Sequence, residues 1–369
     1  MFNFKWYNKW VEDNPTNVFG PAIVIGVVGA GVFAAALIVT WGNPIPTETQ
    51  QTGPRGTGMG VVEFVSDIEA GEATPEMVAY FSEEPYEVFE DEPLAGDIYE
   101  NVQVLGNVPD GNFNRLMAAM TEWVSPEQGC AYCHGEEGNF ASDEYYPKVV
   151  ARRMIQMTQS INENWNIHVG EEVGVNCYTC HRGQNVPEGI WFDLTPINEV
   201  VEGWAAVQNR ATSLSGSTSL PSDALSVFLA DYGVIAVHDL EPRVSGTPGV
   251  EVASIQDTER TYSLMNYFSN SLGVNCTFCH NTNAFYDYDQ VTPQHGTAQL
   301  GIAMVQELNL DYLIPLADVY PAERLGPVHA DAPKAACRTC HLGQQQPLGG
   351  MDMVSDWPEL ASSEAPVYE

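Results

Sequence analysis

The longest apolar stretch of the chain is residues 20 to 41, GPAIVIGVVGAGVFAAALIVTW, which carries no charge. At 1.5 Å per residue, a helix of that length extends about 33 Å, enough to cross a bilayer core. A cleavable leader has a shorter apolar region of about 7 to 15 residues, so a retained single span is expected. Lys5 and Lys9 precede it and an acidic stretch follows, which predicts a cytoplasmic N-terminus (1–19) and a main body on the far side. Trp41 falls where an interfacial aromatic belongs. Gly26, Ala30 and Ala34 recur every four residues and leave room for another membrane helix. Residues 42–60, broken by Pro and Gly, read as a linker. Further on, apolar positions three and four apart predict helices over 114–124, 149–165, 258–273 and 295–314. Residues 210–223 and 284–293 follow neither period and read as loops. The expected fold is mainly α with long irregular loops and an N-terminal transmembrane helix.

Charge narrows the partners. Asp and Glu number 49 against 14 Lys and Arg, a formal net charge of -35. Phosphate recognition needs clustered cations, so nucleic acid is excluded as a partner. A field of this sign attracts a basic soluble protein. Acidic runs such as 81–93, FSEEPYEVFEDEP, serve equally well as solvated surface.

All eight cysteines lie in four C-x-x-C-H motifs: Cys130, Cys133, His134; Cys177, Cys180, His181; Cys276, Cys279, His280; Cys337, Cys340, His341. Four disulfides would not need a histidine after every second cysteine, and a zinc finger places its histidines farther downstream. Two thiols three apart reach both vinyl groups of one haem, and the adjacent imidazole becomes its proximal ligand. Four covalently bound haem c groups are therefore expected.

The motifs fall into two pairs, near 110–190 and 255–345, and GVNCYTCH (174–181) returns as GVNCTFCH (273–280). This suggests a duplicated haem-pair core with a pseudo-two-fold. Residues 61–109 would cover that core, 191–254 would connect the two units, and 346–369 would form a C-terminal tail.

An electron carrier closes the second face of each iron. Met117 stands 17 residues before His134, Met154 27 before His181, and Met265 15 before His280. Met120 and Met157, one turn away from the first two, compete with them. For the fourth iron, spacing leaves His168, Met304 and His329 open. Arg152 or Arg153 is expected to pair with a haem propionate. No catalytic motif is present, and closed irons point to conduction.

The span, the two motif pairs and the Met-bearing helices before three motifs together resemble the tetrahaem cytochrome subunit of purple bacterial photosynthetic reaction centres, over nearly the whole chain. The resemblance implies a non-enzymatic periplasmic subunit seated on the L and M subunits, in a complex with H and the surrounding light-harvesting 1 ring. It places the chain in the bacterial inner (intracytoplasmic) membrane. It implies transfer from a soluble cytochrome c2, cytochrome c8 or high-potential iron–sulfur protein to the photo-oxidised bacteriochlorophyll special pair. By the same resemblance His134 pairs with Met117, His181 with Met154, His280 with Met265, and His341 with His168. The third-motif haem would lie nearest the special pair. Some relatives are lipoproteins cleaved before a cysteine; no cysteine lies near this anchor, so the intact helix should serve. The rival reading is a membrane-anchored multihaem carrier feeding another periplasmic redox enzyme.

Overall fold

The computed structural model describes residues 5–15, 20–40, 46–51, 59–71, 82–195, 197, 207, 219–238, 253–285 and 287–368. Trp41, residues 52–58 of the linker and residues 210–218 lie outside them. The chain divides into two compact units, residues 1–49 with 62–69, and residues 50–61 with 70–369.

In the first unit, helix α1 (Gly20–Thr40) is apolar on every face. The stretch Ala22–Thr40 is long and apolar enough to cross a membrane, and none of it is buried within the chain. A helix without a polar face gains nothing from water on any side, which is the pattern of a membrane anchor.

The second unit is built on four longer helices: α2 (Asp110–Val124), α3 (Tyr146–Asn164), α4 (Ile255–Leu272) and α5 (Pro293–Glu307). Each falls on one of the expected segments and starts two to four residues earlier; α2 ends where expected, and α3 and α4 end one residue sooner. The reason lies in the caps. Pro147 and Pro293 occupy the first turns of α3 and α5, where their missing N–H costs nothing. α4 opens with a capping box: Ser254 Oγ accepts from Asp257 N at 3.2 Å, and the Asp257 carboxylate accepts from Ser254 N at 2.8 Å. It closes on Gly273, at φ 66°.

α5 ends before the expected position 314. A π-helical turn, Leu308–Leu313, continues it. Asn309 is fully buried there, donating to the carbonyls of Leu229 and Ala335 and accepting from Ala335 N. Pro315 follows and cannot extend the ladder.

Two buried clusters hold this unit. One gathers Leu264, Tyr267, Met304 and Val305 with Leu225, Phe228 and Leu229. The last three come from a short helix, Ala224–Leu229, inside the segment expected only to connect. The other gathers Leu116, Trp123 and Ile155 with Leu348, Met353, Trp357 and Leu360. Trp123 and Trp357 meet edge-on at 4.7 Å, so residues 346–369 supply core.

Candidate haem sites

The second and fourth motifs form short helices, Cys177–His181 and Cys337–His341, with the same local geometry. Thr179 and Thr339 accept through their hydroxyls from the N–H of Asn176 and Ala336, at 3.1 and 2.9 Å. Arg182 and Leu342 end the turns in the left-handed region, both at φ 50°. Gly183 N then donates to Trp123 O at the end of α2 (2.9 Å), and Gly343 N to Ser271 O at the end of α4 (2.8 Å). His181 Nδ1 lies 2.8 Å from Gln184 O, and His341 Nδ1 lies 3.0 Å from Gln344 O. A carbonyl that takes the Nδ1 proton leaves Nε2 as the basic nitrogen, the tautomer a metal requires. Burial lowers the pKa of both imidazoles, His341 to about 4, so they stand neutral at pH 7.

The two motifs lie side by side, and the Cys180 and Cys340 thiols are hydrogen-bonded. Around the fourth motif, Tyr267 Oη accepts from Arg338 N, Trp191 Nε1 donates to Ala335 O, and Thr339 Oγ1 donates to Gly189 O.

The first motif occupies Ala131–His134 after Cys130. Its imidazole packs 4.8 Å from the Phe140 ring, and its Nδ1 has no hydrogen-bond partner. The third motif is a 3-10 turn, Cys276–Phe278, capped by the Asn275 side chain and tied to Thr292, which donates through N to Cys279 O and through Oγ1 to Phe278 O. His280 packs between Phe285 at 5.3 Å and His295 at 5.1 Å, again with a buried, unpartnered Nδ1.

The most specific meeting of expected residues is that of His168 and His341. Their ring centroids stand 6.4 Å apart, and His168 Nδ1 is 3.0 Å from Thr297 O. Each ring has its Nδ1 beside a carbonyl and so keeps Nε2 for a metal, and the separation is of the size that two imidazoles on one metal would have. Of the alternatives, Met304 is buried and lines the same cavity as the two histidines, whereas His329 is engaged elsewhere, its Nε2 2.7 Å from Thr195 O.

A cavity of about 1450 Å³ runs through this unit. The cysteines and histidines of the first, second and fourth motifs line it, with Phe278 and Cys279 of the third. It exceeds the roughly 300–1,000 Å³ of an ordinary small-molecule pocket. Met117 and Met120 on α2, and Met154 and Met157 on α3, all face it, so both turns of each helix remain in reach. Met265 packs instead against the first buried cluster.

The arginines have protein partners. Arg152 clasps both carboxylate oxygens of Asp143, at 2.8 and 3.0 Å. Arg153 donates to Asp311 O and lies 4.7 Å over the Tyr312 ring.

The donor set fits a covalently attached haem. None of the eight cysteines is joined to another in a disulfide. Burial drives Cys177 and Cys337 up to about 12, and Cys133 and Cys279 up to about 11, opposite to the lowered values of reactive redox thiols. Cys340 alone moves down, through its hydrogen bond with Cys180. Among the described residues, no three His, Cys, Asp or Glu side chains converge as they would on a bare ion.

Sequence reasoning did not single out Gln184, Gln344, Thr297, Gly301 or Asn309. The repeat H-x-G-Q at 181–184 and 341–344 was the available signal for the two glutamines.

A family profile described as photosynthetic reaction centre cytochrome C subunit matches residues 42–361. The chain is 63% identical over 370 residues to the photosynthetic reaction center cytochrome c subunit of Roseobacter denitrificans, covering 99% of each. It is 42% identical over 353 residues to the subunit of that name in Rubrivivax gelatinosus, covering 93% of this chain and 91% of that one. It is 39% identical over 345 residues to the one in Thermochromatium tepidum, covering 92% and 81%. With its motifs, its membrane-length helix and these matches over nearly its whole length, the chain belongs to the family of photosynthetic reaction centre cytochrome c subunits, electron-transfer proteins rather than enzymes.

Proposed function

We propose that the chain conducts electrons by way of four covalently attached haems, from a soluble periplasmic donor to the photo-oxidised bacteriochlorophyll pair of the reaction centre. The observation that carries the proposal is the facing pair His168 and His341, 6.4 Å apart and both neutral by burial. Two imidazoles on one iron leave no open face, and a closed iron conducts rather than binds substrate.

The haems supply one-electron chemistry when attached. The chain's residues hold and tune them. The eight cysteines provide thioether attachment, and His134, His181, His280 and His341 the proximal nitrogens. Met117, Met154 and Met265 close three irons, and His168 closes the fourth. The buried neutral imidazoles leave Nε2 free to ligate, and thioether ligands would raise potential relative to the bis-imidazole iron. Matching caps, left-handed residues and carbonyl clamps at the second and fourth motifs support a duplicated, pseudo-two-fold arrangement of haem pairs.

The body is read as periplasmic, held by α1 as a single span with its N-terminus in the cytoplasm. It would rest on the L and M subunits beside H, inside the light-harvesting 1 ring. The net charge of -35 is compatible with a basic cytochrome c2 as donor, with cytochrome c8 and a high-potential iron–sulfur protein as the other soluble donors of this reading.

Flash illumination of native membranes tests the reading. Bleaching of the pigment pair should be followed within microseconds by oxidation of a c-type haem on this chain; no such oxidation sinks it. Intact mass of the mature chain should exceed that of the polypeptide by four haems.

A further inference from the structure

We infer that Gly301 positions the His168 ring, by opening a notch in α5 through which that ring reaches a helix carbonyl. The inference rests on the reading of His168 as the second ligand of the iron attached at the fourth motif.

His168 belongs to a single turn, Asn166–Val169, and cannot hold its own ring. Its Nδ1 lies 3.0 Å from Thr297 O. In an α-helix that carbonyl already accepts from the N–H four residues on, which is Gly301, and its second lone pair remains for an outside donor. A side chain at 301 would stand in the way. A Cβ built there would lie 2.6 Å from His168 Cε1, 3.1 Å from Nε2 and 3.2 Å from Nδ1. The first distance is one that real Cβ atoms essentially never show, and the contact touches both ring nitrogens. The ring would have to leave the carbonyl, turn its Nε2 away from His341, or both.

Glycine is a poor residue for a buried helix interior, so its presence there needs a reason. α5 supplies its own comparison. At Gly296, five residues earlier, a Cβ would meet nothing within 4 Å and would face open space. Gly301 is buried, with an imidazole where its side chain would stand. Thr297, Gly301 and Met304 lie along one face of the helix, toward the shared cavity. Holding a ligand's second nitrogen fixes its tautomer and ring plane, and both tune the metal. Gly301 is thus a positioning residue that acts through His168.

The test uses the full-length holo-subunit in its membrane complex, read by low-temperature electron paramagnetic resonance and by redox titration. Gly301→Ala should remove or displace the bis-imidazole signal of one haem and shift one of four potentials, leaving three unchanged. Gly296→Ala should change none. If Gly301→Ala leaves all four signals and potentials in place while His168→Ala alters one, the notch is overturned and the ligand reading stands. If His168→Ala also alters none, the ligand reading falls and takes the notch with it. Should Gly301→Ala fail to accumulate, the pair His168→Met and His168→Met/Gly301→Ala decides. Accumulation of both supports the inference, because without the ring the notch is dispensable. Loss of the double variant alone assigns Gly301 to helix packing and overturns it.

Discussion

Arg115 and Glu359 meet at 3.1 Å with neither side chain exposed to solvent. They join α2 to the last residues of the chain. The guanidinium also donates to Asn112 and to Glu83 O and lies 4.0 Å over the Trp357 ring, while Tyr368 donates to the carboxylate at 2.9 Å. Every polar group of the pair is used. Arg115→Met should therefore strand a buried carboxylate and cost about 3–5 kcal/mol, the range for breaking one side of a buried pair. Thermal unfolding of the holo-protein measures it. A drop as small as that of an exposed ion pair would show that water reaches this site.

Asn309 fixes three backbone groups, at Leu229 and Ala335, the latter two residues before Cys337. Leucine is close in volume and offers none of these bonds. Asn309→Leu should cost on the order of 1–3 kcal/mol for each group left without a partner. Haem content of the variant should fall at the fourth motif first, which peptide mapping of attached haem can read.

His168→Met exchanges imidazole for thioether. Its expected result is a single haem whose potential rises, with three unchanged. Potentiometric titration of the assembled complex decides. A rise spread over several haems would point to disturbance of the shared cavity instead.

The loop after the first motif has a pH-dependent latch. Asp143 is gripped by Arg152 and by Lys148 at 3.2 Å, and hydrogen bonds from Arg152 above all hold its carboxyl down at about 2. A depressed pKa contributes stability that is present above the unfolded value of about 3.9 and disappears as pH falls through the folded one. Amide exchange across 135–148 should thus be unaffected from pH 7 to 4 and should accelerate below, relative to Asp143→Asn at each pH. Identical profiles for the two proteins would dismiss the latch.

The haem chemistry was legible because attachment is local. Two thiols and an imidazole must come from one turn, so they sit together in sequence. The long helices were legible because their buried faces repeat at the helical period. The Ala224–Leu229 helix is too short to show a period, and Leu348, Met353, Trp357 and Leu360 lie in irregular chain interrupted by Pro358, though all are buried. Gly301, Thr297 and Asn309 were hidden for another reason: each acts on or through backbone groups remote in the chain. The shared GVNC string also pairs the second motif with the third, whereas the second motif's cap, left-handed exit and carbonyl clamp recur at the fourth. String likeness and structural likeness fall on different partners here.

The ring that faces His341 is made 173 residues before it. Domains form from the N-terminus onward during synthesis, so His168 is exposed while neither Thr297 nor His341 yet exists. It stands only 13 residues before His181. On the proposed ligation, the nascent first half would carry an imidazole whose partner ring does not yet exist. On that reading the Thr297 carbonyl, which arrives with α5, would be what commits the ring to its distant partner.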